Sequence, residues 1–285
     1  MEKLRISSKN NLHYYSKQDI SEYIRRGLAF QKEMGFDAAD FSMDLIEPLG
    51  SAWESCIQKA LADSQNIGLR FEVCHLPYSV KLGRNAEEDA RFDIKMYYAI
   101  DAAACLGADY AVVHPNTTTL PMESFNRRDQ YDSVMSHLAP YVEYASKKGV
   151  NIVVENMRMV PKHYPVHRYC QDPEELCEIA DALGVGVCWD FGHANIGRQK
   201  QSESLAYIGA RLKVLHVNDN LGHGDDHIPP FCGTVDWEDA MKGLKAIGFN
   251  GLFNYEVQAE RLPESVRAPF AKYLIRAAHE IMSYE

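Results

Sequence analysis

The feature that most constrains how this chain can fold is a regular alternation of strand patterns and helix patterns. Eight short apolar or alternating segments are each followed by a segment whose apolar residues recur at helical spacing. The predicted strands are residues 3–8, 36–43, 69–75, 110–113, 151–154, 185–189, 212–215 and 251–255. The predicted helices are residues 19–34, 53–61, 86–106, 131–148, 172–184, 202–209, 236–247 and 266–282. Such an alternation is typical of a parallel sheet whose strands are joined by helical crossovers.

Eight strand–helix units in 285 residues predict the α/β class and, within it, a single (β/α)₈ TIM barrel formed by residues 1–285. The main alternative is a doubly wound open sheet. That fold usually carries a glycine-rich phosphate-binding turn after its first strand, and this sequence has none there. The barrel is therefore the prediction.

The balance of charges and the cysteines bound the class of protein. The chain has 40 acidic residues against 30 Lys and Arg, a formal net charge of −10, which argues against a nucleic-acid-binding surface. Its seven cysteines include no C-x-x-C pair and several lie in apolar runs, as expected in a reducing cytoplasm. The first residues lack the apolar core of a signal peptide, and no segment has the apolar length that spans a bilayer. We therefore expect a cytoplasmic protein without a membrane partner.

The ends of six successive predicted strands carry side chains that bind metals or transfer protons. Because the C-terminal ends of barrel strands converge on one mouth, we expect these side chains to meet there. They are His75, His114, Glu155, Asp190, His216 and Glu256, with His193 shortly after Asp190. One such residue is usually structural, but six in succession at the correct end indicate a functional site.

Two parts of this pattern also have structural explanations. Within the stretch Val185–Gly197, Asp190 can cap the following helix and His193 can be an ordinary loop histidine, although both are good ligands of a divalent metal. The loop after the seventh strand holds Asp225 and His227, which form either a solvated acidic loop or a further pair that contacts metal or substrate. At this point the alternatives stay open.

Several short motifs in a fixed order give the chain a family resemblance. They are VVEN around Glu155, CWDFGHAN around Asp190 and His193, LHVND around His216, DDHIPP followed by VDW up to Trp237, and NYE at Glu256. Together they resemble the xylose isomerase-like barrel superfamily, which holds sugar isomerases and epimerases together with endonuclease IV. The resemblance covers nearly the whole chain and implies the barrel fold.

The resemblance to the ketose epimerases of that superfamily implies a metal centre with one divalent ion. Its ligands would be Glu155, Asp190, His216 and Glu256, and the two glutamates would act as acid and base. Oxygen-rich ligation with a single imidazole favours Mn²⁺, with Mg²⁺, Co²⁺ or Zn²⁺ as alternatives. We assign substrate contacts to His75, His114, His193, Asp225, His227 and Trp237. The arginine that those epimerases place shortly after the strand-seven histidine has no counterpart here, since residues 222–224 read Gly-His-Gly.

The predicted function is a divalent-metal-dependent isomerase or epimerase of a sugar or sugar phosphate. It would move a proton between the two glutamates through a metal-stabilised enediolate. The alternative is a phosphodiesterase resembling endonuclease IV with up to three Zn²⁺ ions. Its nine ligand positions are all filled, by His75, His114, Glu155, Asp190, His193, His216, Asp225, His227 and Glu256. A sugar lyase or dehydratase on the same scaffold, an inactive barrel that serves as a binding subunit, and assembly into a homo-oligomer also stay open.

Overall fold

The structure is a computed structural model that describes residues 4–13, 19–78 and 85–284. Its strands are β1 (Arg5–Lys9), β2 (Ala38–Ser42), β3 (Phe71–His75), β4 (Tyr110–Val113), β5 (Thr119–Pro121), β6 (Asn151–Glu155), β7 (Val166–Arg168), β8 (Gly186–Asp190), β9 (Leu212–His216) and β10 (Leu252–Tyr255). Its α-helices are α1 (Ile20–Met34), α2 (Trp53–Ile67), α3 (Ala86–Leu106), α4 (Arg127–Lys148), α5 (Pro173–Leu183), α6 (Phe191–Ile196), α7 (Gln201–Ile208), α8 (Trp237–Ala246) and α9 (Glu264–Ser283). Lys3, where the first strand was expected to begin, lies outside the described residues.

Eight of these strands form one parallel sheet in the order β10-β1-β2-β3-β4-β6-β8-β9. The two outer strands meet just beyond β9, where Val217 pairs in parallel with Tyr255. The amide of Val217 donates to the carbonyl of Asn254 at 2.8 Å, and the amide of Glu256 donates to the carbonyl of Val217 at 3.1 Å. These bonds close the sheet at its C-terminal end, so the predicted (β/α)₈ barrel is confirmed.

The helix boundaries follow from local capping chemistry. The side chain of Asp19 accepts a hydrogen bond from the backbone amide of Glu22 in the first turn of α1. Gly35 ends that helix in the left-handed conformation at φ 96°. Asn85 and Asn126 cap α3 and α4 in the same way. These three helices therefore begin at a polar cap and end at a glycine, and these residues set where the chain turns back toward the next strand.

Along seven of the barrel strands, the side chains that face the interior change from apolar to polar over two residues. A cluster of buried residues at the lower level consists of Ala38, Val73, Val112, Val153, Cys188, Val214 and Leu252. Side chains of a strand alternate between its two faces, so the residue two positions later points into the same interior. Those residues are Asp40, His75, His114, Glu155, Asp190, His216 and Asn254. The strand period therefore stacks a polar layer directly above an apolar floor.

Three short elements were not predicted. Strands β5 and β7 pair with each other in an antiparallel ladder outside the barrel, and α6 follows β8 without a gap. All three lie in segments that leave the C-terminal ends of barrel strands. In the part of the chain that the structure describes, no helix is long and apolar enough to cross a membrane.

Candidate active site

Four predicted metal ligands converge at the C-terminal mouth of the barrel. Glu155, Asp190, His216 and Glu256 each offer one ligand atom, and these atoms all lie within 4.8 Å of one another. All four are buried, with the most exposed, Glu256, at 8%. The Nδ1 atom of His216 lies 3.1 Å from Glu155 Oε1 and 3.1 Å from Glu256 Oε2. His216 therefore stands between the two glutamates, and we call these four residues the central group.

A second group shares Glu155 with the central group. The Nε2 atoms of His75 and His114 lie 3.2 and 3.3 Å from Glu155 Oε2. His75 donates its Nδ1–H to the carbonyl of Leu76 at 2.7 Å, which turns its Nε2 atom toward a carboxylate oxygen of Glu155. A cation between His75 Nε2 and Glu155 Oε2 would satisfy both atoms. His75, His114 and Glu155 form the first outer group.

The second outer group consists of His193, Asp225 and His227. The Nε2 atoms of the two histidines lie 3.5 and 3.2 Å from Asp225 Oδ1. Both rings also bond a backbone carbonyl through Nδ1, His193 to Asn156 at 2.7 Å and His227 to Glu256 at 2.8 Å. His227 adopts a positive φ of 47°, which a side chain rarely does without support from its surroundings. The predicted residues of the strand-seven loop thus belong to the mouth and not to a solvated acidic loop.

The structural explanation for Asp190 is confirmed, and its role as a metal ligand stays a prediction. Its Oδ1 accepts the amide of His193 at 2.7 Å and so caps α6, while the same carboxylate belongs to the central group. Asn156 fixes its backbone, since the amide of Asp190 donates to Asn156 Oδ1 at 2.6 Å. Asn218 Nδ2 donates to its second oxygen, Oδ2, at 2.7 Å. Neither asparagine was predicted, although both lie one or two positions beyond a predicted strand-end residue.

The site contains several buried carboxylates whose ionised form depends on positive charge nearby. Burial favours the neutral form of Glu155 and Glu256, yet His216 and its neighbours hold the pKa of each well below the usual range. Burial opposes a charged ring at His193, but Asp190 and Asp225 raise its pKa to about 9. Contacts with His193 and His227 hold the pKa of Asp225 well below its usual range against the effect of burial. Protonated imidazoles thus supply the charge that a metal ion would otherwise bring.

The donor set fits a divalent metal. Three carboxylates and one imidazole are typical ligands for Mn²⁺, Mg²⁺, Co²⁺ or Zn²⁺. Both ring nitrogens of His216 are buried and lack a hydrogen-bond partner among the described residues. A buried polar atom without a partner is costly, and coordination of an ion would satisfy the Nδ1 atom that faces both glutamates.

Lys9 is a site residue that the sequence prediction missed. Its Nζ lies 3.6 Å from Glu256 Oε1 and donates to the hydroxyl of Tyr78 at 2.9 Å. Tyr78 in turn lies 2.8 Å from the Ser42 hydroxyl. Lys9 and Tyr78 line a cavity of about 510 Å³ next to the central group. The strand-end rule would have found Lys9, but the first strand was predicted to end at Ser8.

Trp237 lies in a different environment from the other predicted substrate contacts. It is buried at the start of α8, its ring meets Phe191 edge-on at 5.5 Å, and its Nε1 donates to Asp219 Oδ2 at 3.3 Å. In the described structure its ring and polar contacts are with these two residues. Trp237 therefore supports the loop before it, and its contact with substrate stays a prediction.

Comparison with known proteins defines the class to which this fold and site belong. A family model described as the xylose isomerase-like TIM barrel matches residues 28–278. The chain therefore belongs to the xylose isomerase-like TIM barrel family.

Individual relatives carry different activities in their names. A probable endonuclease 4 of Moorella thermoacetica is 26% identical over 216 residues, 70% of this chain and 71% of that protein. A fructoselysine 3-epimerase of Shigella flexneri is 23% identical over 211 residues, 70% of this chain and 71% of that protein. The chain spans about half the length of other curated relatives that it matches, such as 51% of the protein y4fM of Sinorhizobium fredii at 28% identity.

The crystal structure of a D-tagatose 3-epimerase-like protein is similar over 98% of both chains, with a TM-score of 0.72 and 21% identity. At this level of identity the likeness shows the fold alone.

Proposed function

We propose that this protein is a divalent-metal-dependent isomerase or epimerase of a sugar or a sugar derivative. The observation that carries the proposal is the position of His216 midway between Glu155 and Glu256, with 3.1 Å from its Nδ1 to an oxygen of each. Two carboxylates on either side of one ligand can remove a proton from one face of a substrate and return one to another. The names of a fructoselysine 3-epimerase and an inosose isomerase among the relatives support the same class.

The central group would hold the ion, and Mn²⁺, Mg²⁺, Co²⁺ and Zn²⁺ are all compatible with its ligands. When bound, the ion would stabilise negative charge that develops on the oxygens of a carbonyl and its neighbouring hydroxyl. Each glutamate also has a neighbour that can carry a proton. Glu155 contacts the imidazoles of His75 and His114, and Glu256 lies next to the ammonium of Lys9.

The burial of the two glutamates also matters for proton transfer. Glu155 and Glu256 are 1% and 8% exposed, so bulk water has little access to a proton in transit. Asn156 and Asn218 fix Asp190 from two sides, which holds the central group in a defined geometry. A defined geometry orients the two carboxylates for proton transfer during turnover, and each glutamate exchanges its proton with solvent once the product has left.

Deuterium incorporation tests this proposal. The protein loaded with Mn²⁺ is incubated in D₂O with a panel of ketoses, ketose phosphates and sugar acids, and carbon-bound deuterium is read by NMR. We expect incorporation next to the carbonyl for at least one substrate, because the carbon acid is deprotonated during turnover. Glu155→Gln and Glu256→Gln should each abolish it, since an amide cannot accept a proton near neutral pH. Glu143→Gln on the exposed face of α4 is the matched control.

A multinuclear zinc phosphodiesterase is the second candidate, because three metal-capable groups lie side by side and two of them share Glu155. Carboxylates and histidines in such groups are typical zinc ligands. This candidate predicts cleavage of duplex DNA at abasic sites by the Zn²⁺-loaded protein, with solvent oxygen transferred to phosphate. Such cleavage, together with no carbon-bound deuterium for any sugar in the panel, would reject the isomerase proposal.

A further inference from the structure

One segment at the mouth has a charge opposite to that of the whole chain. Residues 156–171, which we call the basic segment, contain Arg158, Lys162 and Arg168 and no Asp or Glu, in a chain with a formal net charge of −10. The segment begins directly after Glu155, and β7 near its end pairs with β5, which follows β4. Both of its arginines are half-buried. The basic segment therefore brings cationic groups to the rim of an acidic site.

Arg158 places its charge beside the second outer group. Its Nε lies 3.2 Å from Asp225 Oδ2, and the other oxygen of Asp225 faces the two histidines of that group. Asp225 meets the guanidinium through Nε, and this is the one ion pair that Arg158 makes with a described residue. The remaining N–H groups of Arg158 are therefore available to another acceptor.

Arg168 has less compensation than Arg158. Its Nε donates to the Thr117 hydroxyl at 3.3 Å, and no described carboxylate lies at ion-pair distance from its guanidinium. A half-buried cation without a counter-ion loses hydration and gains little in return. Burial and the neighbouring charge of Arg158 lower the pKa of Arg168 to about 10. The charge of Arg158 thus acts on Arg168, and the carboxylates of Asp225 and Glu155 offset it only from beyond ion-pair distance.

We propose that Arg158 and Arg168 form an oxyanion-binding site that receives the phosphate or carboxylate of an anionic sugar substrate. This inference rests on the proposed function. A guanidinium offers parallel N–H donors that match the oxygens of phosphate and carboxylate. An anion between the two arginines would remove their repulsion and supply the counter-ion that Arg168 lacks.

The other cation at the mouth is less suited to this role. Lys9 lies 3.6 Å from Glu256 Oε1, so a carboxylate already matches its charge. The cavity beside Lys9 is also lined by Asp44 and Glu260. An anionic group there would meet two further carboxylates, which disfavours it.

Paired ligands that differ only in the anionic group test the inference. Calorimetry measures the affinity of the metal-free and the Mn²⁺-loaded protein for D-fructose, D-fructose 6-phosphate and D-fructuronate, and for D-ribulose and D-ribulose 5-phosphate. The ratio of affinities within a pair isolates the anionic group from the sugar. We expect at least one anionic member to bind about tenfold or more tightly than its neutral parent. Whether the phosphates or the acid show this preference identifies the natural anion.

Arg158→Gln and Arg168→Gln should each reduce that ratio about tenfold while leaving the affinity for the neutral sugar unchanged. Arg128→Gln, which breaks an exposed ion pair with Asp132 on α4, should not change the ratio. A merely structural role would lower both affinities together. A ratio near one in the unaltered protein for every pair, or a ratio that both variants leave intact, would overturn the inference.

The outcome is independent of that of the deuterium experiment. An anion preference that depends on both arginines, without deuterium incorporation, would reject the isomerase and keep the oxyanion site. Deuterium incorporation, together with an affinity ratio near one for every pair or a ratio that both variants leave intact, would keep the isomerase and reject the site.

Discussion

At the scale of single residues, the direction of ring nitrogens distinguishes this site from a buried polar cluster. Three histidines donate Nδ1–H to a backbone carbonyl and turn Nε2 toward a carboxylate: His75, His193 and His227. A backbone bond of this kind fixes the tautomer and the ring plane, as it does for metal-bound histidines. Backbone carbonyls therefore hold the three rings in an orientation that would suit a bound cation.

Substitution of Asn218 tests whether neighbouring side chains hold Asp190 in place for metal binding. Its Nδ2 holds Asp190 Oδ2 at 2.7 Å, so Asn218→Ala should let the carboxylate rotate and should weaken binding of Mn²⁺ about 10- to 100-fold. Competition with a fluorescent chelator measures the affinity. Asn151→Ala is the matched control, because that side chain bonds the Asp109 carbonyl at the opposite end of the barrel. Equal affinities in the two variants would mean that Asp190 needs no such support.

The sequence could predict which strands carry the side chains that meet at the mouth, because a strand end is visible as the point where an apolar run stops. It could not predict Asn218 or Lys9. Asn218 acts only through its contact with another strand, and no local pattern distinguishes it from a loop asparagine. Lys9 depended on a strand boundary, and ends of strands are set by hydrogen bonds to neighbours that the sequence does not display.

At the scale of elements, one buried carboxylate organises the loop that carries Asp225 and His227. Asp219 accepts hydrogen bonds from the amides of Phe231, Gly233 and Val235 at 3.0–3.2 Å and from the Trp237 indole. A side chain at Gly233 would meet Asp219 Oδ1 at 2.2 Å, so only glycine allows this approach. The loop, residues 221–235, is held against the barrel because Asp219 accepts hydrogen bonds from its backbone amides.

Asp219→Ala should therefore destabilise the protein and loosen the loop. These four donors and the amide of Asn220 would lose their acceptor, and we expect the free energy of unfolding to fall by about 2–5 kcal/mol. Urea denaturation measures this loss, and limited proteolysis should show earlier cleavage within residues 221–235. Asp226→Ala is the control, since Asp226 makes only a 3.4 Å contact with the Leu221 amide. A loss no larger than that of the control would refute the role of Asp219.

The anchoring of β7, which carries Arg168, should depend on pH. His167 Nε2 lies 3.0 Å from both carboxylate oxygens of Glu175, and this contact raises the pKa of His167 against the effect of burial. A raised pKa stabilises the fold below the unfolded value of about 6.5, and the contribution disappears as pH rises through the folded pKa.

His167→Gln should thus cost about 1 kcal/mol of unfolding free energy at pH 6, and this difference from the unaltered protein should shrink by pH 9. Chemical denaturation at both pH values measures it, with His163→Gln on the exposed part of the same segment as the control. A difference that stays constant between pH 6 and pH 9 would show that the ion pair contributes nothing.

The elements that sequence analysis missed share a physical cause. β5 and β7 have three residues each, too few for an alternation to be recognised, and they are stabilised by pairing with each other outside the barrel. Helix α6 has six residues, too few for a helical period to be recognised, and it begins at Phe191 directly after its N-cap Asp190. Short elements take their structure from tertiary contacts, and tertiary contacts are not visible in a local pattern.

At the scale of the whole molecule, the period of two residues along each strand links the core to the chemistry. The apolar floor and the polar layer above it come from the same interior face of the strands, two positions apart. The barrel brings residues as far apart as Glu155 and Glu256 into one centre. The fold was predictable because a strand pattern followed by a helix pattern repeats eight times, whereas the number of ions at the mouth was not. Three groups of ligands lie close enough to work together or separately.

Metal content tests the central claim most directly. Protein purified without chelator and loaded with Mn²⁺ is analysed by inductively coupled plasma mass spectrometry, beside Asp190→Asn and His216→Ala, each of which removes a central ligand. We predict about one firmly bound ion per chain in the unaltered protein and its near loss in both variants, because an oxygen-rich set with one imidazole has no spare ligand. Unchanged metal content in the two variants, or about three ions per chain in the unaltered protein, would contradict the account.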